Sequence, residues 1–155
     1  MPAKTKRSTS AEVEAFASGL DEFTRALRTA RGRFNRAPVK PELSASQFHL
    51  LEPLAGSDGP LAVCALADAA GVAAPTATRM LDGLARDGFV ERRHSESDRR
   101  SVLVSLTERG EAAVENAHEV IETWRREVFE RLKPEEREPA ARLLARLAEV
   151  LEEDL

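Results

Sequence analysis

The strongest constraint on the fold lies in residues 67–107, where two short helical patterns are separated by a glycine and followed by alternating strands. Gly71 fits the left-handed backbone position that ends a helix. Ala67, four residues earlier, is small enough to let two helices cross closely. The second helix is expected over residues 74–87, ending at Gly88. The stretch therefore predicts two helices joined by a tight turn and followed by a β-hairpin.

The second helix of this pair has an apolar face and a polar face. The apolar face predicts core positions at Ala77, Met80, Leu81 and Leu84. The polar face carries Pro75, Thr78, Arg79, Asp82 and Arg86, with Thr76 at its margin. Arginine can bond guanine in a DNA major groove, and threonine can contact phosphate or a thymine methyl group. The ordinary alternative is a solvated amphipathic helix.

Asp82 is the exception on this polar face, because its carboxylate would repel phosphate. It is expected to face a base edge, to brace Arg79 or Arg86, or to lie outside the contact. The strands that follow are predicted at residues 89–93 and 101–106. Arg92, at the end of the first strand, and its neighbour Arg93 are expected to touch phosphates, although one of the two can be a solvated strand residue.

The hairpin loop, residues 94–100, is hydrophilic throughout. An arginine suits a narrow minor groove, because the negative potential there attracts its planar cation. If the loop contacts DNA, Arg100 is favoured over Arg99 to enter the minor groove, with Asp98 holding the arginine extended. The alternative is a charged hairpin tip with an unimportant surface ion pair.

Composition limits the class of protein. The chain has 155 residues and a net charge of −4, which by itself disfavours a nucleic-acid binder. Residues 1–43 carry net +4, residues 44–106 net −2 and residues 107–155 net −6. A DNA-binding surface must therefore come from the placement of individual arginines. The length predicts one domain with a sizeable core.

Several functional classes are disfavoured by what the sequence lacks. There is no apolar run of membrane-spanning length and no signal-peptide core. The one cysteine, Cys64, fits a reducing compartment, so a cytoplasmic protein without a membrane partner is expected. His49, His94 and His118 lack metal-ligand spacing. No enzyme motif stands out, and neither an enzymatic activity nor a cofactor is expected.

Helical patterns flank the central stretch on both sides. Ser10 is predicted to cap a first helix, whose apolar stripe is Phe16, Leu20, Phe23, Leu27 and Phe34. Ser44 and Gln47 form a predicted capping box, and Pro53 predicts a kink or an early end of the helix that follows. Thr107 is predicted to cap a long helix, and Pro139 to mark the start of a last helix or a bend in it.

The central stretch resembles the MarR-type winged helix-turn-helix transcriptional regulators over about residues 43–110. The matching fragments are Leu43-Ser-Ala-Ser-Gln-Phe48, Leu66-Ala-Asp-Ala-Ala-Gly-Val72, Thr76-Ala-Thr-Arg79, Leu84-Ala-Arg-Asp-Gly-Phe-Val-Glu-Arg92, Ser97-Asp-Arg-Arg-Ser101 and Leu106-Thr-Glu-Arg-Gly110. Their combination and order are specific, whereas each fragment alone is weak. One departure is Ala73-Ala74, where relatives often carry a serine, and the loss of such a cap oxygen costs typically ~1 kcal/mol.

The resemblance implies a mainly α fold with a small β-hairpin and a single domain over residues 1–155. It implies a flexible tail (1–9), a winged helix-turn-helix lobe (44–106), and N- and C-terminal helices (10–36 and 107–155) that form an intertwined dimerisation region. A homodimer would then bind a palindromic operator in double-stranded DNA, with repression favoured over activation. The residues that the resemblance implies at the DNA are Pro75, Thr76, Thr78, Arg79, Asp98, Arg99 and Arg100. Arg86 on the polar helix face and Arg92 on the first strand complete the predicted set.

Relatives in this family often release DNA when an aromatic acid or another phenolic compound binds, so a small-molecule effector is a further expected partner. Arg31 and Trp124 are the candidates to hold it, as anion partner and stacking wall. The alternative is an ordinary structural role for each residue, with Arg31 as a surface arginine and Trp124 as part of the dimer core. Two alternatives stay open: a winged-helix protein-interaction module without DNA binding, and a redox-responsive regulator that uses Cys64. A small buried residue is the favoured role of Cys64.

Overall fold

The computed structural model describes residues 9–34, 42–95 and 101–153, with side chains for all of these except 31–34. The predicted tail at 1–9 therefore lies outside the described residues, apart from Thr9. The helices are α1 (Ser10–Phe34), α2 (Ala45–Ala55), α3 (Val63–Ala69), α4 (Ala74–Arg86), α5 (Glu108–Arg131) and α6 (Pro134–Glu153). The strands are β1 (Leu61–Ala62), β2 (Val90–His94) and β3 (Val102–Leu106). The predicted mainly helical fold with a small hairpin is confirmed.

The sheet has three antiparallel strands in the order β1-β3-β2. The predicted hairpin forms its larger part, with Val90 opposite Leu106 and His94 opposite Val102. β1, which pairs Leu61 with Val104, was not predicted from the sequence. A two-residue strand is too short to show alternation, and only its position beside β3 makes it a strand.

One hydrophobic core joins α2, α3, α4, the sheet and the first half of α5. Its buried residues include Phe48, Leu50, Leu51 and Leu54 of α2 and three of the four predicted α4 positions, with Met80 partly buried at the edge. The buried apolar residues are Leu43, Phe48, Leu50, Leu51, Leu54, Leu66, Ala67, Ala77, Leu81, Leu84, Phe89, Val90, Val104, Ala113, Val114 and Ala117. The core therefore fixes the polar face of α4 toward the outside of the lobe.

Several helix ends follow the predicted caps. Ser44 and Gln47 form the predicted capping box of α2, and Thr107 accepts a hydrogen bond from the Gly110 N–H at the start of α5. The cap of α1 is Thr9 rather than Ser10. The Glu12 N–H donates to Thr9, and the Thr9 N–H and hydroxyl both donate to the Glu12 carboxylate, which lowers the pKa of that carboxyl.

The two interior prolines interrupt their helices less than predicted. α2 continues two residues past Pro53, to Ala55, so the early end is wrong. α6 begins at Pro134, with Pro139 inside it, so Pro139 is not its start. The start of α6 is capped from within, because the Glu136 carboxylate accepts from the Lys133 N–H at 2.9 Å. This contact is one half of a capping box, in which the carboxylate of the third helical residue accepts from the N–H of the residue before the helix.

The helices outside the lobe expose large apolar side chains. They are Val13, Phe16, Leu20 and Phe23 of α1, Trp124, Val128 and Phe129 of α5, and Leu143, Leu144, Val150 and Leu151 of α6. None of the residues described for α6 is buried. Every helix in the described ranges is too short or too polar to cross a bilayer.

Candidate nucleic-acid interface

Two glycine turns set the position of α4. Gly71 has φ of 62° and Gly88 has φ of 80°, and both lie in the left-handed region that glycine adopts at little cost. Directly after Gly71 in the chain, the Val72 N–H donates to the Ala67 carbonyl at 3.0 Å. Behind Gly88, the Phe89 N–H donates to the Leu84 carbonyl at 2.9 Å. α4 is therefore closed at both ends by turns that fix its direction in the lobe.

The first half of α4 presents the predicted contact residues. Pro75 and Arg79 are exposed, whereas Thr76 and Thr78 are partly buried. The Thr78 hydroxyl donates to the Ala74 carbonyl at 2.9 Å, so its oxygen is held close to the helix. Within the described ranges, no side chain forms a hydrogen bond or ion pair with Arg79. Its guanidinium is therefore available to a ligand.

The second half of α4 has its charged side chains engaged. Arg92 of β2 donates to the Asp82 carboxylate and forms an ion pair with it. The Arg86 Nε donates to the Asp82 backbone carbonyl at 3.3 Å. The predicted bracing of Arg79 or Arg86 by the Asp82 carboxylate is therefore wrong. That carboxylate instead holds Arg92, a residue on a neighbouring strand.

The two adjacent arginines of β2, Arg92 and Arg93, lie on opposite faces of the hairpin. Arg92 lies opposite Val104 and Arg93 opposite Leu103, and successive side chains of a strand point to opposite faces. Only Arg92 lies against α4, while Arg93 is exposed on the other face. Asp98, Arg99 and Arg100, the predicted minor-groove contacts, lie outside the described residues.

The turn that ends α4 is held by the start of α5. The Thr107 hydroxyl donates to the Gly88 carbonyl at 2.7 Å, and the Thr107 N–H donates to the Phe89 carbonyl at 3.0 Å. Gly110 completes the joint, because a Cβ atom there would lie 2.0 Å from the Phe89 oxygen. The direction of α4 is therefore coupled to that of α5.

Arg109 is a second element of this joint. Its Nη1 donates to the Asp87 carbonyl at 2.7 Å, and its Nη2 pairs with the Glu42 carboxylate at 2.6 Å. Its guanidinium carbon also lies 4.4 Å from the centre of the Phe89 ring. No role was predicted for Arg109 from the sequence. The matched fragment Leu106-Thr-Glu-Arg-Gly110 contained the signal, but only the fold brings these partners together.

The two predicted effector residues lie on different helices, Arg31 on α1 and Trp124 on α5. Trp124 lies on α5 and is 40% exposed. Arg31 lies in α1, and its side chain is outside the described residues. An open cavity of about 630 Å³ lies between the end of α2, residues 57–60 and the start of α5, and Trp124 is not part of its lining. The predicted burial of Cys64 is wrong, because this residue of α3 is exposed.

Comparison with known proteins places this geometry in a family. The model of the MarR family matches residues 43–102. An uncharacterised HTH-type transcriptional regulator of Bacillus subtilis, YfiV, is 35% identical over 114 residues, which cover 74% of this chain and 71% of the relative.

Solved structures agree with this fold. The transcriptional repressor CouR, bound to a 23-mer DNA duplex, superposes with a TM-score of 0.73 at 25% identity, covering 95% of this chain and 99% of that one. BpsR of Bordetella bronchiseptica, whose structure concerns regulation of DNA binding by 6-hydroxynicotinic acid, superposes with a TM-score of 0.69 at 25% identity, over 84% and 98%. The chain belongs to the MarR family of winged helix-turn-helix transcriptional regulators.

Proposed function

We propose that the chain is a sequence-specific DNA-binding repressor that acts as a homodimer on a palindromic operator. The observation that carries this proposal is the exposed guanidinium of Arg79, on the outer face of a helix whose inner face is buried. Arginine reads guanine through two parallel hydrogen bonds to O6 and N7 in the major groove. The relative CouR, a repressor bound to DNA, supports the same use of the lobe.

The proposed contacts form two groups. In the major groove, Pro75, Thr76, Thr78 and Arg79 at the start of α4 meet the duplex. The hairpin loop, with Asp98, Arg99 and Arg100, extends toward the minor groove, and Arg93 and Arg86 flank the phosphates. No phosphate contact is assigned to Arg92, whose charge is paired with Asp82. This division explains how a chain with a net charge of −4 can bind a polyanion.

The dimer is supported by the exposed apolar residues of α1, α5 and α6. A cluster of large apolar side chains on the surface of a monomer marks an interaction surface. A second copy of the chain has a matching apolar surface, so a twofold arrangement can bury both. Two lobes related by a twofold axis would bind half-sites about one helical turn apart, roughly 10 base pairs.

An aromatic acid is proposed as the effector that releases the DNA. BpsR, whose DNA binding is regulated by 6-hydroxynicotinic acid, supports this class of ligand. Arg31 of α1 is the proposed partner of the carboxylate, and Trp124 of α5 the stacking wall. Both lie on helices proposed to form the dimer, so a ligand between them would alter the spacing of the two lobes.

The test is an anisotropy titration of the purified chain against duplexes from the intergenic DNA that flanks its gene. We expect one duplex to be bound specifically, with an affinity that falls as salt is raised. Adding 6-hydroxynicotinic acid and a panel of phenolic acids tests release. A protein-interaction module would bind none of the duplexes. A Cys64-dependent redox regulator would lose DNA on mild oxidation, and Cys64→Ser would prevent that loss.

A further inference from the structure

The ion pair between Asp82 and Arg92 lies where a DNA duplex is proposed to approach. Asp82 belongs to the outer face of α4, and Arg92 to the adjacent strand β2. The two residues are ten positions apart in the chain. The Asp82 side chain is 53% exposed, whereas that of Arg92 is only 23% exposed. The carboxylate thus lies nearer to the solvent, and the guanidinium is drawn in behind it.

The pair contributes little to the stability of the fold. Ion pairs with this degree of exposure contribute little, because solvent screens them and ordering two side chains costs entropy. The pair has a greater consequence for DNA binding, because it neutralises the charge of Arg92. A free arginine at this position would neutralise one phosphate and release its counterion, which steepens the salt dependence of binding by about 0.9 in log–log slope.

We propose that Asp82 is a specificity-determining residue that withholds Arg92 from the phosphate backbone. Phosphate contacts strengthen binding to every sequence equally, whereas base contacts distinguish one sequence from another. A carboxylate that neutralises one arginine therefore lowers binding to all duplexes and leaves the selection to Arg79. This inference rests on the proposed DNA-binding function.

The alternative is that Asp82 merely braces Arg92 so that the arginine can hold a phosphate. The two roles predict opposite effects when the carboxylate is removed. If Asp82 withholds Arg92, its loss strengthens non-specific binding. If Asp82 orients Arg92 toward the duplex, its loss weakens binding to every sequence.

The experiment measures binding to a random-sequence 24-base-pair duplex over a series of salt concentrations, for the wild type, three single variants and the Asp82→Asn/Arg92→Gln double variant. Asp82→Asn removes the carboxylate, and Arg92→Gln removes its partner. Glu91→Gln is the matched control, because it removes one exposed carboxylate next to Arg92 on β2 without releasing an arginine. Thermal melts followed by circular dichroism check that each variant is folded.

We expect Asp82→Asn to bind the random duplex roughly fivefold more tightly at ~0.1 M salt, with a slope steeper by about 1 for each protomer on the duplex. Glu91→Gln should give a smaller increase with an unchanged slope. Arg92→Gln alone should leave the slope unchanged. In the double variant, Asp82→Asn on an Arg92→Gln background should add no more than Glu91→Gln does.

Weaker binding by Asp82→Asn, or an Arg92→Gln slope shallower by about 1, would overturn the inference in favour of a bracing role. An Asp82→Asn effect equal to that of Glu91→Gln would also overturn it. These results leave the proposed function intact, because the wild type still binds DNA. If the wild type bound no duplex at any salt concentration, the proposed function itself would fail, and this inference with it.

Discussion

At the level of single residues, the joint between α4 and α5 depends on the absence of a side chain at Gly110. A Cβ atom there would lie 2.0 Å from the Phe89 oxygen, which belongs to the backbone and cannot rotate away. Gly110→Ala must therefore displace α5 from the turn that ends α4. We expect a loss of about 1–3 kcal/mol in the free energy of unfolding, as for other overpacked sites.

Chemical denaturation measures this loss, with Gly83→Ala as the control. A Cβ at Gly83 would meet only the end of the Arg86 side chain, at 3.8 Å. Alanine is favoured over glycine in a helix interior by up to about 1 kcal/mol, so this variant should be as stable as the wild type or more so. Equal stability of Gly110→Ala and the wild type would contradict the described packing.

How far a single residue could be interpreted from the sequence depended on how far away its partners lie. Ser44, Gly71 and Thr107 were predicted correctly, because caps and turns involve residues within about four positions of each other. The partner of Asp82 is ten positions away, and that of Arg109 is 67 positions away. Neither contact leaves a periodic pattern. The exposure of Cys64 likewise depends on which face of α3 the rest of the lobe covers.

At the level of elements, Thr107 connects two of them with one hydroxyl. The oxygen caps α5 by accepting from the Gly110 N–H at 3.0 Å, and it donates to the Gly88 carbonyl at 2.7 Å. Thr107→Ala loses both bonds, and we expect it to cost about 1 kcal/mol, the usual effect of losing an N-cap oxygen. Because the Gly88 turn ends α4, DNA affinity should fall as well.

Thr107→Ser provides the control for this prediction, since it keeps the hydroxyl and removes only a methyl group. Urea denaturation should place it close to the wild type, and the operator titration should give a similar affinity. If serine and alanine were equally destabilising, the methyl group rather than the hydrogen bonds would be responsible. The proposed coupling between α5 and α4 would then lose its basis.

Whether a helix or strand was predicted likewise depended on whether it is defined by neighbouring residues or by contacts with distant ones. The predicted helices were all found, because each has apolar residues at helical spacing. β1 was missed, since two residues carry no period and their pairing with β3 is a tertiary contact. Pro53 and Pro139 were given too much weight. Each removes one backbone donor, and the neighbouring turns of α2 and α6 nevertheless stay helical.

At the level of the whole molecule, the exposed apolar residues of α1, α5 and α6 form the interface of the proposed dimer. Leu144 of α6 is 54% exposed in the single chain. Leu144→Glu would place a carboxylate in the proposed interface, where a charge without a partner is strongly unfavourable. We expect sedimentation analysis to show mostly monomer at micromolar concentration, with a large loss of operator affinity.

Ala145→Glu is the control, because it introduces the same carboxylate on the side of α6 that faces away from its exposed apolar residues. Ala145 is also exposed, so this variant should remain dimeric. A monomeric wild type, or a dimer that tolerates Leu144→Glu, would contradict the proposed assembly. The family's winged lobe would then have to bind DNA as a single copy.

The most direct test of the account is a selection of DNA from a pool of randomised duplexes, by the wild type and by Arg79→Lys, followed by sequencing. Lysine keeps the charge but cannot make the bidentate contact to guanine, which corresponds to about 1–3 kcal/mol of discrimination. We predict that the wild type enriches an inverted repeat containing guanine, and that Arg79→Lys binds DNA but loses the preference at that guanine. No enriched sequence for the wild type, or the same motif enriched equally by Arg79→Lys, would contradict the account.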